Sequence, residues 1–230
     1  MPFVYYDPTY ILVLPAIALA LYAQYKVSST FNRYAQVPLQ RGLTGAEVAA
    51  ELLRRRGLGH VRIEPVHGLL ADHYDPRTKT LRLSPAVYGS ASVAAAGVAA
   101  HEAGHAFQDR ERYAPLALRS AIVPVAQIGT PAAWILFLLG LVLGAPRLVD
   151  LGILIFLGYV LFALVTLPVE FNASSRAVAV LQGEGLVLPQ EADGVRAVLN
   201  AAALTYVAAA AMAVLQLVRL LVLRSAMREE

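Results

Sequence analysis

The sequence predicts a mainly α membrane protein with about four transmembrane helices and a small α/β unit carrying a His-Glu-x-x-His helix. Three observations predict it. Hydrophobic residues make up 58% of the 230 and charged residues 15%, against about half and about a quarter in soluble domains. The apolar residues gather in long runs separated by two polar stretches, and the mean hydropathy is +0.58. One of the polar stretches alternates apolar and polar residues, as half-buried strands do, just before the motif.

The chain divides into a transmembrane helix over 1–26, a membrane-surface unit over 27–118, a helical hairpin over 119–168, a polar segment over 169–200, and a helix with a tail over 201–230. A helix needs about 20 apolar residues to cross a bilayer core. The first run, Tyr10 to Tyr25, is short, contains Pro15 and ends at Lys26. No Lys or Arg precedes it and no small-x-small site follows, so it reads as a retained span rather than a cleaved signal. The second runs from Arg119 to Leu143 with Pro124 and Pro131 inside, and the third from Leu148 to Pro168 with no charge after Asp150. Gly144-Ala145-Pro146-Arg147 permits only a tight turn between them. The fourth, Ala201 to Leu223, carries Arg219 near its end, where the stem can snorkel.

Within 27–118, Thr44-Gly45-Ala46-Glu47 is a capping box opening a helix that stops at Gly57. Arg54, Arg55 and Arg56 close that helix, where cations suit the macrodipole. Val61 to Val66 alternates as a strand, Asp72-His73-Tyr74-Asp75-Pro76 reads as a turn, and Leu81-Arg82-Leu83 as a second strand. Ser84-Pro85 supplies an N-cap and a Pro at N1 for the next helix, and a further helix covers Ser92 to Arg110.

Net charge is +3 with pI near 9.3. The basic residues lie mostly in loops and form no stripe with interleaved aromatics, which argues against nucleic acid and for membrane flanks. Lys26, Arg33, Arg41, Arg110, Arg112 and Arg119 outnumber Arg147, Arg224 and Arg228 on the opposite side. That bias places both polar segments in the cytoplasm and both termini outside a multi-pass inner (plasma) membrane protein. Cysteine is absent, so a transition metal would be held by His and carboxylate.

The chemistry lies in His101-Glu102-Ala103-Gly104-His105. Residues four apart share a helix face, so both imidazoles can meet one metal ion, for which zinc suits a nitrogen and oxygen site. Glu102, one position on, is placed to act as general base on a water whose pKa the metal lowers toward about 7. A chance match is the bland alternative. The small apolar residues from Val93 to Ala100 argue against it, because they let the helix be buried and an idle buried His pair is costly. A catalytic zinc needs a third protein ligand. Two crossings after His105 return the chain to the same side at Glu170, and a carboxylate after an apolar helix is expensive unless paired or metal-bound. Glu170 is therefore the candidate, against the simpler reading of an interfacial acid paired with Arg176. Glu184, Glu191, Asp109, His67 and His73 are lesser candidates.

These residues sit in strings that resemble the bacterial neutral zinc metallopeptidases of the YugP type. The strings are Thr44-Gly45-Ala46-Glu47-Val48-Ala49, Gly68-Leu69-Leu70-Ala71-Asp72-His73-Tyr74-Asp75-Pro76, Leu83-Ser84-Pro85-Ala86-Val87-Tyr88, Val98 through Gln108, and Leu167-Pro168-Val169-Glu170-Phe171-Asn172-Ala173-Ser174. The resemblance implies a zincin-like, membrane-embedded peptidase with His101, His105 and Glu170 as zinc ligands, Glu102 as base, and protein or peptide substrates. The chain is also distantly similar to HtpX-type membrane peptidases, which follow the ligand Glu with an Asp in a Glu-x-x-x-Asp pattern. Here that position is Ser174.

Other residues carry weaker expectations. His73 with Asp72 and Asp75 forms either a second metal site or, more simply, a turn with local hydrogen bonds; His73 or Tyr74 is also a candidate oxyanion donor. The Leu81–Leu83 strand offers an edge for an extended peptide unless it is buried. Arg176 suits a substrate carboxylate or loop pairing, and Asn172 a hydrogen bond to a ligand carboxylate. The competing functions are a zinc-binding scaffold or transporter without hydrolysis, and a zinc hydrolase acting on non-peptide amides. Glu102 favours catalysis, since a structural zinc gains nothing from it.

Overall fold

The structure, a computed structural model, describes residues 7–68 and 71–229, with side chains to Met227. Leu69 and Leu70 of the Gly68–Pro76 string, the first residues of the 1–26 segment and the side chain of Arg228 lie outside the described residues. After a 3-10 turn at Pro8–Leu12 come α1 (Leu14–Ala35), α2 (Gly45–Arg55), β1 (Arg62–Pro65), β2 (His73–Asp75), β3 (Thr80–Leu83), α3 (Pro85–Tyr88), α4 (Val93–Arg110), α5 (Ala114–Val142), α6 (Pro146–Gly183) and α7 (Pro189–Glu229). The chain forms two compact units. One comprises Gln24–Leu116 with Val169–Leu204, the other Met1–Ala23, Ala117–Pro168 and Thr205–Glu230.

In the first unit, the Thr44 hydroxyl accepts from the Glu47 amide at 3.3 Å and the Glu47 carboxylate accepts from the Thr44 amide at 2.8 Å. This reciprocal cap starts α2. Val48, Ala49, Leu52 and Leu53 recur on one face and are buried in the core that α2 shares with α4. Gly57 takes the left-handed conformation (φ +67°) and ends the helix. The sheet has the order β1-β3-β2, with β1 parallel and β2 antiparallel to β3. Three corrections follow. His73–Asp75, expected as part of a turn, is strand β2 paired with Thr80–Arg82. The turn lies at residues 76–79, where the Asp75 carboxylate accepts from the Arg77 amide at 2.9 Å. The Leu81–Leu83 strand has no free edge, because β3 is the central strand and Leu81 and Leu83 are buried. Finally, the Ser84 hydroxyl does not cap α3; it donates to the Asp72 carboxylate at 2.9 Å.

α4 is built of small residues, and Ala94, Ala95, Ala96, Ala99, Ala100 and Ala103 are all buried. Side chains this small let neighbouring elements approach its backbone. A methyl group on Gly97 would stand 3.3 Å from the Val195 side chain of α7.

In the second unit, Ala133, Phe137, Val149, Phe156, Val160 and Leu220 belong to one core from α5, α6 and α7. Trp134 meets Phe137 and Phe156 edge-on, at centroid distances of 6.4 and 6.0 Å. Gly144 (φ +59°) makes the tight turn between α5 and α6. Ile128, Val142 and Leu154 stand exposed on α5 and α6, the pattern of helices whose outer faces meet lipid.

Among the described residues three helices are long and apolar enough to cross a membrane: Ala114–Val142, Pro146–Gly183 and Pro189–Met227. The expected run from Tyr10 to Tyr25 is not one of them. Its first residues form the 3-10 turn and α1 begins only at Leu14, so the apolar stretch of helix before Gln24 and Lys26 falls short of the about 20 residues a core requires. α6 continues through Pro168, whose missing amide removes one backbone bond, and so carries Glu170 and Arg176 on the same helix.

Candidate metal centre

α4 and the Val169–Gly183 part of α6 bring His101, His105 and Glu170 together within the first unit. One ligand atom from each lies within 4.8 Å of the others, and all three residues are buried. Among the described residues this is the one group of His, Cys, Asp or Glu placed to hold a metal ion. The two imidazoles lie one turn apart on α4 and meet edge to face, with ring centroids 4.8 Å apart and planes at 86°. A single oxygen, Glu170 Oε2, stands 3.1 Å from His101 Nε2 and 3.6 Å from His105 Nε2.

Glu170 is 2% exposed. Burying a carboxylate costs several kcal/mol, of order 3–5 when its partner is lost, so it needs a cation or a full set of donors. Burial opposes a charge on His105, but the hydrogen bond to Glu170 and the charges of Glu102 and Glu170 outweigh it and raise its pKa above the ordinary imidazole value. The site thus attracts positive charge. A donor set of two imidazole nitrogens and one carboxylate oxygen, converging in a buried space, fits zinc with a position left open.

Glu102 is buried beside the pair, and its carboxylate has no hydrogen-bond partner among the described residues. It is adjacent to His101 in sequence and one turn before His105, so it projects beside the cluster rather than into it. Its charge acts on His105.

Two contacts behind the imidazoles escape sequence reasoning. Ser174 Oγ lies 3.1 Å from His101 Nδ1, so a hydroxyl stands where the Glu-x-x-x-Asp pattern would place a carboxylate. Gln108 Oε1 lies 3.0 Å from His105 Nδ1. Its i+3 spacing from His105 was the available signal, since such pairs share a face.

The lesser candidates do other work. Glu191 accepts from the amides of Gln40 and Leu188, both at 2.7 Å. Glu184 pairs with Arg55 at 3.0 Å. Asp109 accepts from the Tyr74 hydroxyl at 2.7 Å and pairs with Lys79. That contact commits Tyr74 as a donor to Asp109 rather than to an oxyanion. His60 and His67 are exposed. His73 Nδ1 donates to the Ala71 carbonyl at 2.8 Å, Asp72 holds Ser84, and Asp75 caps the turn, so these three side chains do not converge as ligands. Arg176 donates to Asn172 at 2.7 Å and to Glu111 at 2.6 Å, and the Asn172 oxygen accepts from both Arg176 Nε and Gln108 Nε2.

A family model described as "Putative neutral zinc metallopeptidase" matches residues 9–225. The chain is similar to the protein of Bacillus subtilis (strain 168) called "Putative membrane protease YugP": the two are 48% identical over 208 residues, covering 90% of this chain and 92% of that one. No solved structure matches.

Proposed function

The chain belongs to the family of neutral zinc metallopeptidases, and from that membership we propose that it hydrolyses peptide bonds at a membrane. In this reading His101, His105 and Glu170 hold the zinc and Glu102 is the general base. The observation that carries it is the convergence of three buried ligand atoms beside the buried carboxylate of Glu102. When bound, zinc supplies a Lewis acid that polarises the scissile carbonyl and makes water acidic enough to react near neutral pH.

The protein's own groups do the rest. Glu102 accepts a proton as water oxygen bonds to the carbonyl carbon. It then gives that proton to the departing amine as the carbon–nitrogen bond breaks. Burial keeps its carboxylate in a site of restricted water, where a base retains its reach on a positioned water. Ser174 and Gln108 orient the two imidazoles from behind. A purely structural zinc would leave Glu102 without a task. The surplus of Lys and Arg around 27–118 supports a cytoplasmic active site, with the apolar run of 1–26 as a further membrane-associated segment.

Purified in detergent, the protein should carry about one zinc per chain and cleave casein or a peptide library. Chelation should stop cleavage, and zinc should restore it. Undiminished cleavage by the metal-free protein would sink the proposal.

A further inference from the structure

Groups behind metal-binding histidines set their tautomer and orientation, and here the contacts behind His105 permit only one assignment. Gln108 is fully buried. One end of its amide lies 2.8 Å from the Val169 carbonyl oxygen. A carbonyl only accepts, so that end is the nitrogen, Nε2. The other end, 3.0 Å from His105 Nδ1, is then the oxygen. An amide oxygen also only accepts, so Nδ1 carries the hydrogen, and in the neutral ring Nε2 then keeps its lone pair for the cluster.

The amide is itself held. Gln108 Nε2 donates to Asn172 Oδ1 at 3.0 Å. That Asn172 atom is the oxygen because Arg176 Nε, a donor only, approaches it at 2.7 Å. Arg176 Nη1 in turn donates to Glu111 Oε2 at 2.6 Å. A single line of hydrogen bonds, each with one allowed direction, runs from the buried imidazole to an exposed carboxylate.

We infer that Gln108 is a positioning residue that fixes the Nδ1–H tautomer of His105, and that Asn172 and Arg176 lock the amide that does so. Its purpose rests on the metallopeptidase reading above, but its observable does not, since the tautomer exists in the metal-free protein. A neutral amide thereby fills a place that a carboxylate or backbone carbonyl often takes behind a ligand histidine.

Metal-free protein labelled with 15N-histidine, in detergent and above the imidazole titration, tests this. A His105 variant identifies the signal. Wild type should show His105 as the Nδ1–H form. Gln108→Leu should move His105 toward the Nε2–H form and weaken zinc binding about 10–100-fold. Gln108→Glu keeps the acceptor and should keep the tautomer and most of the affinity. An unchanged tautomer in the Leu variant, or an equal loss of tautomer and zinc in both variants, would overturn the inference. If the Leu variant does not fold, wild type and Gln108→Glu decide alone, and an Nε2–H form in either overturns it. A wild type with the Nδ1–H form but no affinity for zinc would support this assignment and sink the metallopeptidase reading.

Discussion

Gly104 of α4 lies against Ala173 of α6: a methyl group on Gly104 would stand 2.8 Å from the Ala173 carbonyl oxygen. Backbone cannot swing aside as a flexible side chain can. The close approach is what lets Glu170, on the same helix as Ala173, reach the two imidazoles. Gly104→Ala should therefore push the helices apart, destabilise the fold by about 1–3 kcal/mol and lower the zinc content. Thermal unfolding and metal analysis check it, and a variant unchanged in both would show that the contact relaxes freely.

His101 loses its Nδ1 partner in Ser174→Ala. Zinc should bind about tenfold more weakly, while Ser174→Asp, which restores an acceptor, should bind at least as well as the alanine variant. Competition against a fluorescent chelator measures both. Equal affinity in wild type and Ser174→Ala would remove the serine from the site.

Two of the buried acids of the first unit, Glu170 and Glu191, predict opposite phenotypes. Glu170 faces the imidazoles, whereas Glu191 accepts two backbone amides. Glu170→Ala should strip or loosen the metal. Glu191→Ala should keep the metal and cost about 1–3 kcal/mol of stability through unsatisfied amides. Zinc content and unfolding midpoint, measured on both variants, separate the roles, and a zinc-replete Glu170→Ala protein would move the third ligand elsewhere.

Much of this was legible in residue spacing. His101 and His105 share a face because the helical repeat puts them there, and Glu170 stood out because an acid after an apolar run demands a partner. Spacing carries no distance between helices, however. Gln108 meets Val169 and Asn172 from 61 and 64 residues away; its i+3 spacing from His105 is legible in the sequence, and those distant partners are not. β2 was misread because Asp75 and Pro76 do signal a turn, which begins just after the strand they close. In Tyr10–Tyr25 the apolar composition is visible, whereas the 3-10 turn that precedes α1 is not.

Asp72 and Ser84 tie the segment before β2 to the end of β3, with the Ser84 amide and hydroxyl both donating to one carboxylate. Ser84→Ala removes one of those bonds in a buried place and should cost about 1 kcal/mol. Cleavage per folded molecule should not change, because neither residue belongs to the metal cluster. A loss of turnover without a loss of stability, by parallel calorimetry and peptide assay, would instead tie this pair to the chemistry.

Zinc content and peptide cleavage, determined together on purified Glu102→Gln and wild-type protein, test the account most directly. The amide keeps the shape of the side chain but cannot take up a proton. The account predicts a full complement of zinc and cleavage reduced by at least about 100-fold. A Glu102→Gln protein that retains zinc and still cleaves at the wild-type rate would contradict it.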